Sequence, residues 1–431
     1  MRNGLADETF ELLFDTGADA TDTLTDTAAA AEPKNALTHV LSLSMTKIAD
    51  GLVNPKLVLS WLLTALGAPA IFIGLLVPIR EAGALLPQLF TAARIHALGQ
   101  RKWVWAAGSF VQGVSAAGIA AAGLLLEGAV AGAVICGLLA VLAVARSLCS
   151  VSYKDVLGKT VARTRRGTVT GVAGSAASVA VILFALALMF GLLDRMTLVL
   201  LALAAAGALW VAASALFSTL SEESNPTDPP GESPFAALSL LKEDATLRRF
   251  IVARGLLTAT ALAPPFLVLM ASGEANDAFE ALGALVLASA LASFLSSYVW
   301  GRLSDRSSRW VLVLSGVLGA VALAGAVALS LWGAFSSAVV VAGTLFVLMI
   351  GYHGVRQGRS TYLVDMAPKD RRADYTAVAN TVIGILLLGS GAFGAVASIL
   401  GAVWAVAGFA AMSLAAAWVA FGLPEVETAA D

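Results

Sequence analysis

Long apolar runs separated by short polar breaks fill almost the whole chain. Runs of spanning length fall at roughly 38–64, 69–95, 103–126, 129–152, 168–193 and 196–220. After a polar interruption they resume at roughly 248–272, 279–300, 311–332, 335–361, 376–398 and 401–423. A bilayer core about 30 Å thick is crossed by roughly 20 apolar residues of helix, so each run is long enough. The pattern predicts an all-α polytopic membrane protein with twelve transmembrane helices in two six-helix halves. The interruption holds Pro226, Pro229, Pro230 and Pro234, which exclude a spanning helix and mark a linker. Its Phe235–Leu241 stretch suits a short helix lying on the membrane. The expected organisation is an acidic tail at 1–36, a first half at 37–220, a linker at 221–247, a second half at 248–423 and a C-terminal tail at 424–431.

Composition excludes a soluble fold. Of 431 residues, 58% are hydrophobic and 13% charged, whereas about a quarter of a soluble protein is charged. The net charge of −2 and the absence of a basic patch beyond the loops give no sign of a nucleic-acid partner. Residues 1–36 carry Asp7, Glu8, Glu11, Asp15, Asp19, Asp22, Asp26 and Glu32 against only Arg2 and Lys34. A secretory signal needs a basic start and an apolar centre, so this segment reads as a mostly disordered tail, with Phe10–Phe14 as a short surface helix. Cys136 and Cys149 lie in one predicted helix, too far apart along it for a disulfide.

Loop charge sets the orientation. Alternate loops on one side are crowded with Lys and Arg, from Arg94, Arg101 and Lys102 through Arg165 and Arg166 to Arg371 and Arg372, while the other side has Arg195 alone. The positive-inside rule places the basic side, with both termini, in the cytoplasm of an inner (plasma) membrane. An odd number of spans would break this alternation. The halves also echo one another. Tyr153-Lys154-Asp155 leads to Arg165-Arg166 in the first half, as Tyr362 and Asp365 lead to Arg371-Arg372 in the second. Asn54-Pro55 and Pro264-Pro265 sit at similar depth in the first and seventh runs, where proline frees a carbonyl and invites a bend.

Between the eighth and ninth runs lies Gly301-Arg302-Leu303-Ser304-Asp305-Arg306-Ser307-Ser308-Arg309. It resembles the G-x-L-x-D-R-x-x-R loop of major facilitator superfamily transporters. Asp365 to Arg372 resembles that family's D-x-x-P-x-x-R-R segment after the tenth helix. The resemblance covers about residues 37–423 and implies two six-helix halves around a central site, alternating access, and a monomer. It further implies that Asp305 caps the fifth helix across the half-interface, that a loop arginine holds Asp365, and that these contacts close the cytoplasmic side. The first half departs from the motif: His96 stands at the aspartate position and Lys159 at its partner's. There the loop also reads as a solvated basic surface that fixes topology.

Ionisable residues inside spans cost roughly 2.5–3.5 kcal/mol each, so by default they face a cavity. The first run carries Lys47, Asp50 and Asn54 on one face; the second carries Arg80 and Glu81; the fourth Arg146; the tenth Tyr352, His353, Arg356 and Arg359. Lys47 and Asp50 also read as a neutralised structural pair, and Arg254 and Arg359 as side chains that snorkel to the headgroups. Arg80 and Glu81 are adjacent and diverge by about 100°, so at least one faces the cavity. Arg146 and Arg356 occupy comparable places in the two halves, where they would clamp an anion; pairing with lipid phosphate or linker acids is the alternative. Guanidinium groups suit carboxylate, phosphate or sulfonate. The candidate substrate-binding residues are therefore Arg146, Arg356, His353, Tyr352, Arg80 and Asn54. Glu81 and Asp50, with Lys47 beside them, are the candidate proton-coupling groups, and His353 is a second carrier.

No G-x-x-x-x-G-K-[ST] loop is present. Gly158-Lys159-Thr160 has its tail, but Tyr153 replaces its first glycine, so ATP chemistry is not expected. His39, His96, His353 and the two cysteines are too scattered for zinc, and no serine–histidine–acid set stands out. The expectation is a secondary transporter without cofactor, proton-coupled, moving a small organic anion through the lipid bilayer. A drug or lipid-like efflux carrier and a non-transporting sensor or scaffold of the same fold are the alternatives.

Overall fold

The structure, a computed structural model, describes residues 10, 24–162, 164–224, 236–274, 282–335, 337–368 and 371–426. Most of the expected tail, the linker prolines and Lys369 lie outside the described residues. Among the described residues, eleven helices are long and apolar enough to cross a bilayer. The twelfth crossing is the first span, Asp26–Val53 continued by Val58–Ala65, whose apolar character Lys47, Asp50 and Lys56 dilute. The others are the second (Ala70–His96), third (Lys102–Leu125), fourth (Gly128–Thr160), fifth (Arg166–Phe190) and sixth (Arg195–Ser218). The second half has the seventh (Ala245–Leu257, Ala259–Leu262 and Pro264–Glu274), eighth (Leu282–Ser304), ninth (Ser308–Leu331), tenth (Ala338–Met366), eleventh (Arg372–Gly389 with Ala392–Leu400) and twelfth (Ala402–Phe421).

Polar contacts explain why the first helix starts at Asp26 rather than near residue 37. Thr25 caps it, accepting from the Ala28 N–H. Glu32 is buried and accepts from the Ala162 N–H at 2.8 Å and from Arg165 at 2.6 Å. Asn35 exchanges two 3.0 Å hydrogen bonds with the Ser221 backbone. Hydrophobic periodicity does not register such contacts. Both expected proline breaks are present. The first span opens at Asn54, whose Oδ1 accepts from the Lys56 N–H at 3.1 Å, and the seventh is interrupted at Thr258 and Ala263, just before Pro264. Among the described residues, positive φ occurs only at glycines, such as Gly67 and Gly191, in the tight turns opposite the basic loops, where a Cβ would be strained.

The two halves pack alike. The third span lies against the fourth and sixth and the second against the fourth; correspondingly, the ninth lies against the tenth and twelfth and the eighth against the tenth. Small residues allow it: a Cβ on Gly113 would stand 2.8 Å from the Gly207 carbonyl, and one on Gly316 3.0 Å from the Ser413 carbonyl. Such close backbone approach is how helices associate in lipid.

Across the half-interface, the second span packs on the eleventh and the fifth on the eighth. The tightest contacts lie at the face away from the basic loops. A Cβ on Gly74 would fall 2.4 Å from the Gly394 Cα, and one on Gly283 2.8 Å from the Ala185 carbonyl. That face is shut.

At the basic face each half is tied internally. Glu222, just beyond the sixth span, has a fully buried carboxylate that accepts from the N–H groups of Arg101 (3.1 Å) and Lys102 (2.8 Å) at the start of the third. Lys159 lies 3.6 Å away, and Arg101 pairs with Asp155. Glu425, just beyond the twelfth span, does the same for the ninth: it accepts from the capping Ser307 at 2.7 Å and pairs with Arg309 at 3.2 Å. Carboxylates near helix N-termini are stabilised by the unpaired N–H groups there. Replacing Glu222 with Ala strands one buried and one half-buried N–H donor and a lysine, so a destabilisation of about 2–3 kcal/mol is expected, read as a lower thermal unfolding temperature of the purified protein.

Candidate functional site

A cavity of about 510 Å³ lies between the halves and is lined by the first, second, fourth, fifth, eighth and tenth spans. It continues into a chamber of about 400 Å³ lined by Ser293, Trp300, His353, Arg356, Gln357 and Ser360. Arg356 and Gln357 are exposed there, so the cavity opens toward the basic-loop face.

Asp50 organises one wall. Its carboxylate is shared by Arg80, at 2.6 Å, and Arg146. The first, second and fourth spans are thereby joined at mid-depth. Lys47, one turn away, does not pair with Asp50; its Nζ donates to the Thr170 carbonyl of the fifth span at 2.9 Å. The expected Lys47–Asp50 pair is therefore replaced by an Asp50–arginine triad, because two guanidiniums on neighbouring helices reach Asp50 in good geometry. Arg146 is not a free half of a clamp in this state: Asp50 engages it, while Arg356 stands exposed in the cavity.

The opposite wall centres on Tyr352. Lys56, from the break in the first span, reaches across the half-interface and puts its Nζ 3.4 Å from the Tyr352 ring centroid. Arg356 lies 6.0 Å from the same centroid and His353 packs edge-on at 5.3 Å. The His353 Nε2 is buried without a hydrogen-bond partner among the described residues. A narrow side pocket joins Glu81, Arg254, Tyr352, Arg356 and Arg359. Both Arg80 and Glu81 thus line the cavity, one on each wall. Asn54 lines it too, and its Oδ1 accepts from the Lys56 N–H.

Two sequence readings need correction. Arg254 and Arg359 do not snorkel: Arg254 is buried and donates to Asn380 Oδ1 at 2.9 Å, and Arg359 lines the cavity. Interior partners are within reach, and a side chain that has one need not leave for the headgroups. Lys56 was not among the expected site residues. Its signal was present, a lysine inside a spanning run directly after Asn54-Pro55, yet it reads as part of the break.

The gate residues are placed for an open basic face. Gly301 lies in the last turn of the eighth span, and Asp305 and Arg306 are exposed. Asp305 has no side-chain partner among the described residues, and the fifth span's N-cap, Arg165, makes no side-chain capping bond. Arg309 turns to Glu425 rather than to Asp365, which is exposed at the end of the tenth span. Arg371 approaches Glu243 at 3.8 Å and Arg372 donates to the Val364 carbonyl at 3.1 Å. With the halves apart at this face, the implied contact of Asp305 with the fifth span is unmade. His39, by contrast, is a core residue bonded to Thr160 at 2.8 Å. Cys136 and Cys149 are free and buried.

The family model of the Major Facilitator Superfamily matches residues 40–386. The chain belongs to the major facilitator superfamily. Solved structures agree on the fold. A nucleoside transporter, NupG, superposes with a TM-score of 0.66 at 13% identity, covering 90% of this chain and 98% of its own. A D-xylose–proton symporter gives 0.67 at 10% identity, covering 91% and 98%. A bacterial homologue of the iron transporter ferroportin in an inward-facing state gives 0.62 at 16%, covering 90% and 98%. No curated protein matches by sequence. This superfamily member is a polytopic membrane protein with a transporter fold, and its central cavity lies where the two repeats meet.

Proposed function

We propose that the protein is a secondary active transporter that carries a small organic anion across the inner membrane by alternating access, coupled to protons. The observation that carries this reading is the charge of the cavity. Six cations (Lys47, Lys56, Arg80, Arg146, Arg356 and Arg359) line it against two carboxylates, Asp50 and Glu81. Charges at mid-membrane depth are retained where they bind or move something, and guanidinium groups favour carboxylate, phosphate or sulfonate. An apolar drug would leave these cations without a counter-charge.

Asp50 and Glu81 are the natural proton carriers. A proton on Asp50 removes the negative charge that Arg80 and Arg146 share, and so changes which cations are available to substrate. In the state described here, open at the basic face, the substrate would meet Arg356 first, and the Asp305 contact with the fifth span would form as that face closes.

The test is thermal stabilisation of the purified protein by a panel of organic anions, cations and neutral metabolites, with wild type beside Arg356→Ala. A ligand that binds only the folded state raises the unfolding temperature by mass action. An anion that stabilises wild type and acts at least tenfold more weakly on Arg356→Ala is expected. Stabilisation by cationic or apolar compounds alone, equal in both proteins, would overturn the reading. An anion that binds but is not carried by the protein in proteoliposomes would instead indicate a sensor.

A further inference from the structure

The cavity's surplus positive charge is divided between its two walls. At one wall Asp50 is shared by Arg80 and Arg146, with Lys47 one turn away and held to the Thr170 carbonyl. Three cations face one carboxylate. At the other wall Lys56 lies over the Tyr352 ring, and Arg356 and Arg359 share a side pocket with Glu81. Again three cations face one carboxylate, and the buried Arg254 lies behind them. The second span separates the groups: Arg80 belongs to one and Glu81 to the other, and adjacent residues of a helix diverge by about 100°.

This division bears on the shape of the substrate as well as its sign. When the halves close, the cations at both walls lose water, and a desolvated cation needs a nearby counter-charge. An anionic group taken up at one wall leaves the other wall's three cations facing a single carboxylate. We propose that the substrate is an organic dianion whose two acidic groups are held apart by its skeleton, one group taken by Lys47 and Arg146 and the other by Arg356 and Lys56. This rests on the anion-carrier reading of the same cavity.

The geometry gives each group a means of recognition. Arg146 can offer the face of its guanidinium not used by Asp50, and Lys47 a second point charge beside it. At the other end Arg356 is exposed in the cavity, and the unpartnered Nε2 of His353 lies next to it. Between the two ends the wall is uncharged: Val286, Ser289, Ala290 and Met349 line it. A short carbon skeleton with a few hydroxyls fits such a wall. A cavity of about 510 Å³ is within the range of small-molecule sites and leaves room for a two-headed molecule. An acid on Lys56 would also draw it off the Tyr352 ring, loosening a contact between the halves at the closed end.

The experiment uses the purified full-length protein and two matched series of probes. One runs from succinate to suberate, with 3-phosphonopropionate as a phosphonate member; the other holds the monocarboxylates of the same chain lengths. Affinity is read from thermal stabilisation, and transport from counterflow in proteoliposomes. At least one dianion is expected to bind tenfold or more tighter than its monoanionic counterpart. Lys47→Gln and Arg356→Gln should each bring that dianion down to within about threefold of the monoanion, and Arg356→Lys should recover part of the loss. Equal affinity of the two series would overturn the dianion while leaving the anion carrier standing. A preference for dianions that neither variant weakens would overturn the two-wall placement. If neither series acts and only neutral or cationic compounds do, the anion-carrier reading falls and the dianion with it.

Discussion

Asp50→Asn is expected to abolish substrate transport and to destabilise the protein by roughly 3 kcal/mol. The carboxylate accepts from both Arg80 and Arg146. An asparagine of the same shape keeps one acceptor oxygen but leaves two guanidiniums side by side with no counter-charge. The side chain of Asp50 is 19% exposed, that of Arg80 12% and that of Arg146 35%. Breaking a buried pair costs about 3–5 kcal/mol, and water at Arg146 holds the expectation to the lower end. Stability is measured by thermal or denaturant unfolding in detergent, and transport by uptake into proteoliposomes. The double variant Asp50→Asn/Arg80→Gln should regain part of the stability, because one of the two orphaned cations is gone, without regaining transport. Additive losses in the double variant would mean that the two residues do not act as a pair. Wild-type transport by Asp50→Asn would remove Asp50 from the coupling scheme.

The spans were legible because bilayer thickness imposes a length that shows directly in the hydropathy, and the proline breaks because Asn54-Pro55 and Pro264-Pro265 interrupt otherwise continuous runs. That Asp50, Arg146, Arg356 and at least one of Arg80 and Glu81 would face a cavity followed from the cost of burying charge; that both of the adjacent pair line it did not. Which of them pair did not follow. Lys47 lies on the same helix face as Asp50, yet partners on two other helices win, since pairing depends on where the second and fourth spans cross the first. Glu32, Glu222 and Glu425 were read as parts of tails and linker, because a glutamate outside an apolar run looks like surface. Their role comes from the helix N-termini and basic loops they meet. The acids that the first-half motif lacks at His96 and Lys159 are in this way matched by Glu222 and Asp155, within one half rather than between the two.

This distinction suggests which contacts govern the conformational cycle. Glu222 and Glu425 join elements that move together, so they hold each six-helix body rigid and should persist in every state. The contacts that differ between states lie across the half-interface, and in this structure they are concentrated at the closed face. Gly74→Leu is therefore expected to drive the protein out of the described state. A Cβ at Gly74 would stand 2.4 Å from the Gly394 Cα and 2.8 Å from its nitrogen, both backbone atoms, with the Phe266 ring at 3.2 Å. Neither helix can yield by a rotamer change, so the faces must part. Overpacking typically costs about 1–3 kcal/mol. Where the alternative is a pre-existing state with that face open, the same energy shifts the population by roughly 5- to 150-fold. Cys136 and Cys149 are buried, so a single introduced cysteine can report the shift. In a Gly74→Leu background, Gln357→Cys in the open chamber should label more slowly with an impermeant maleimide from the basic face. Ser289→Cys in the cavity wall should become reachable from the opposite face. A folded Gly74→Leu protein with unchanged labelling at both positions would show that this glycine pair is not the seal. Equal acceleration at both positions would mean that the halves had come apart rather than rocked between two states.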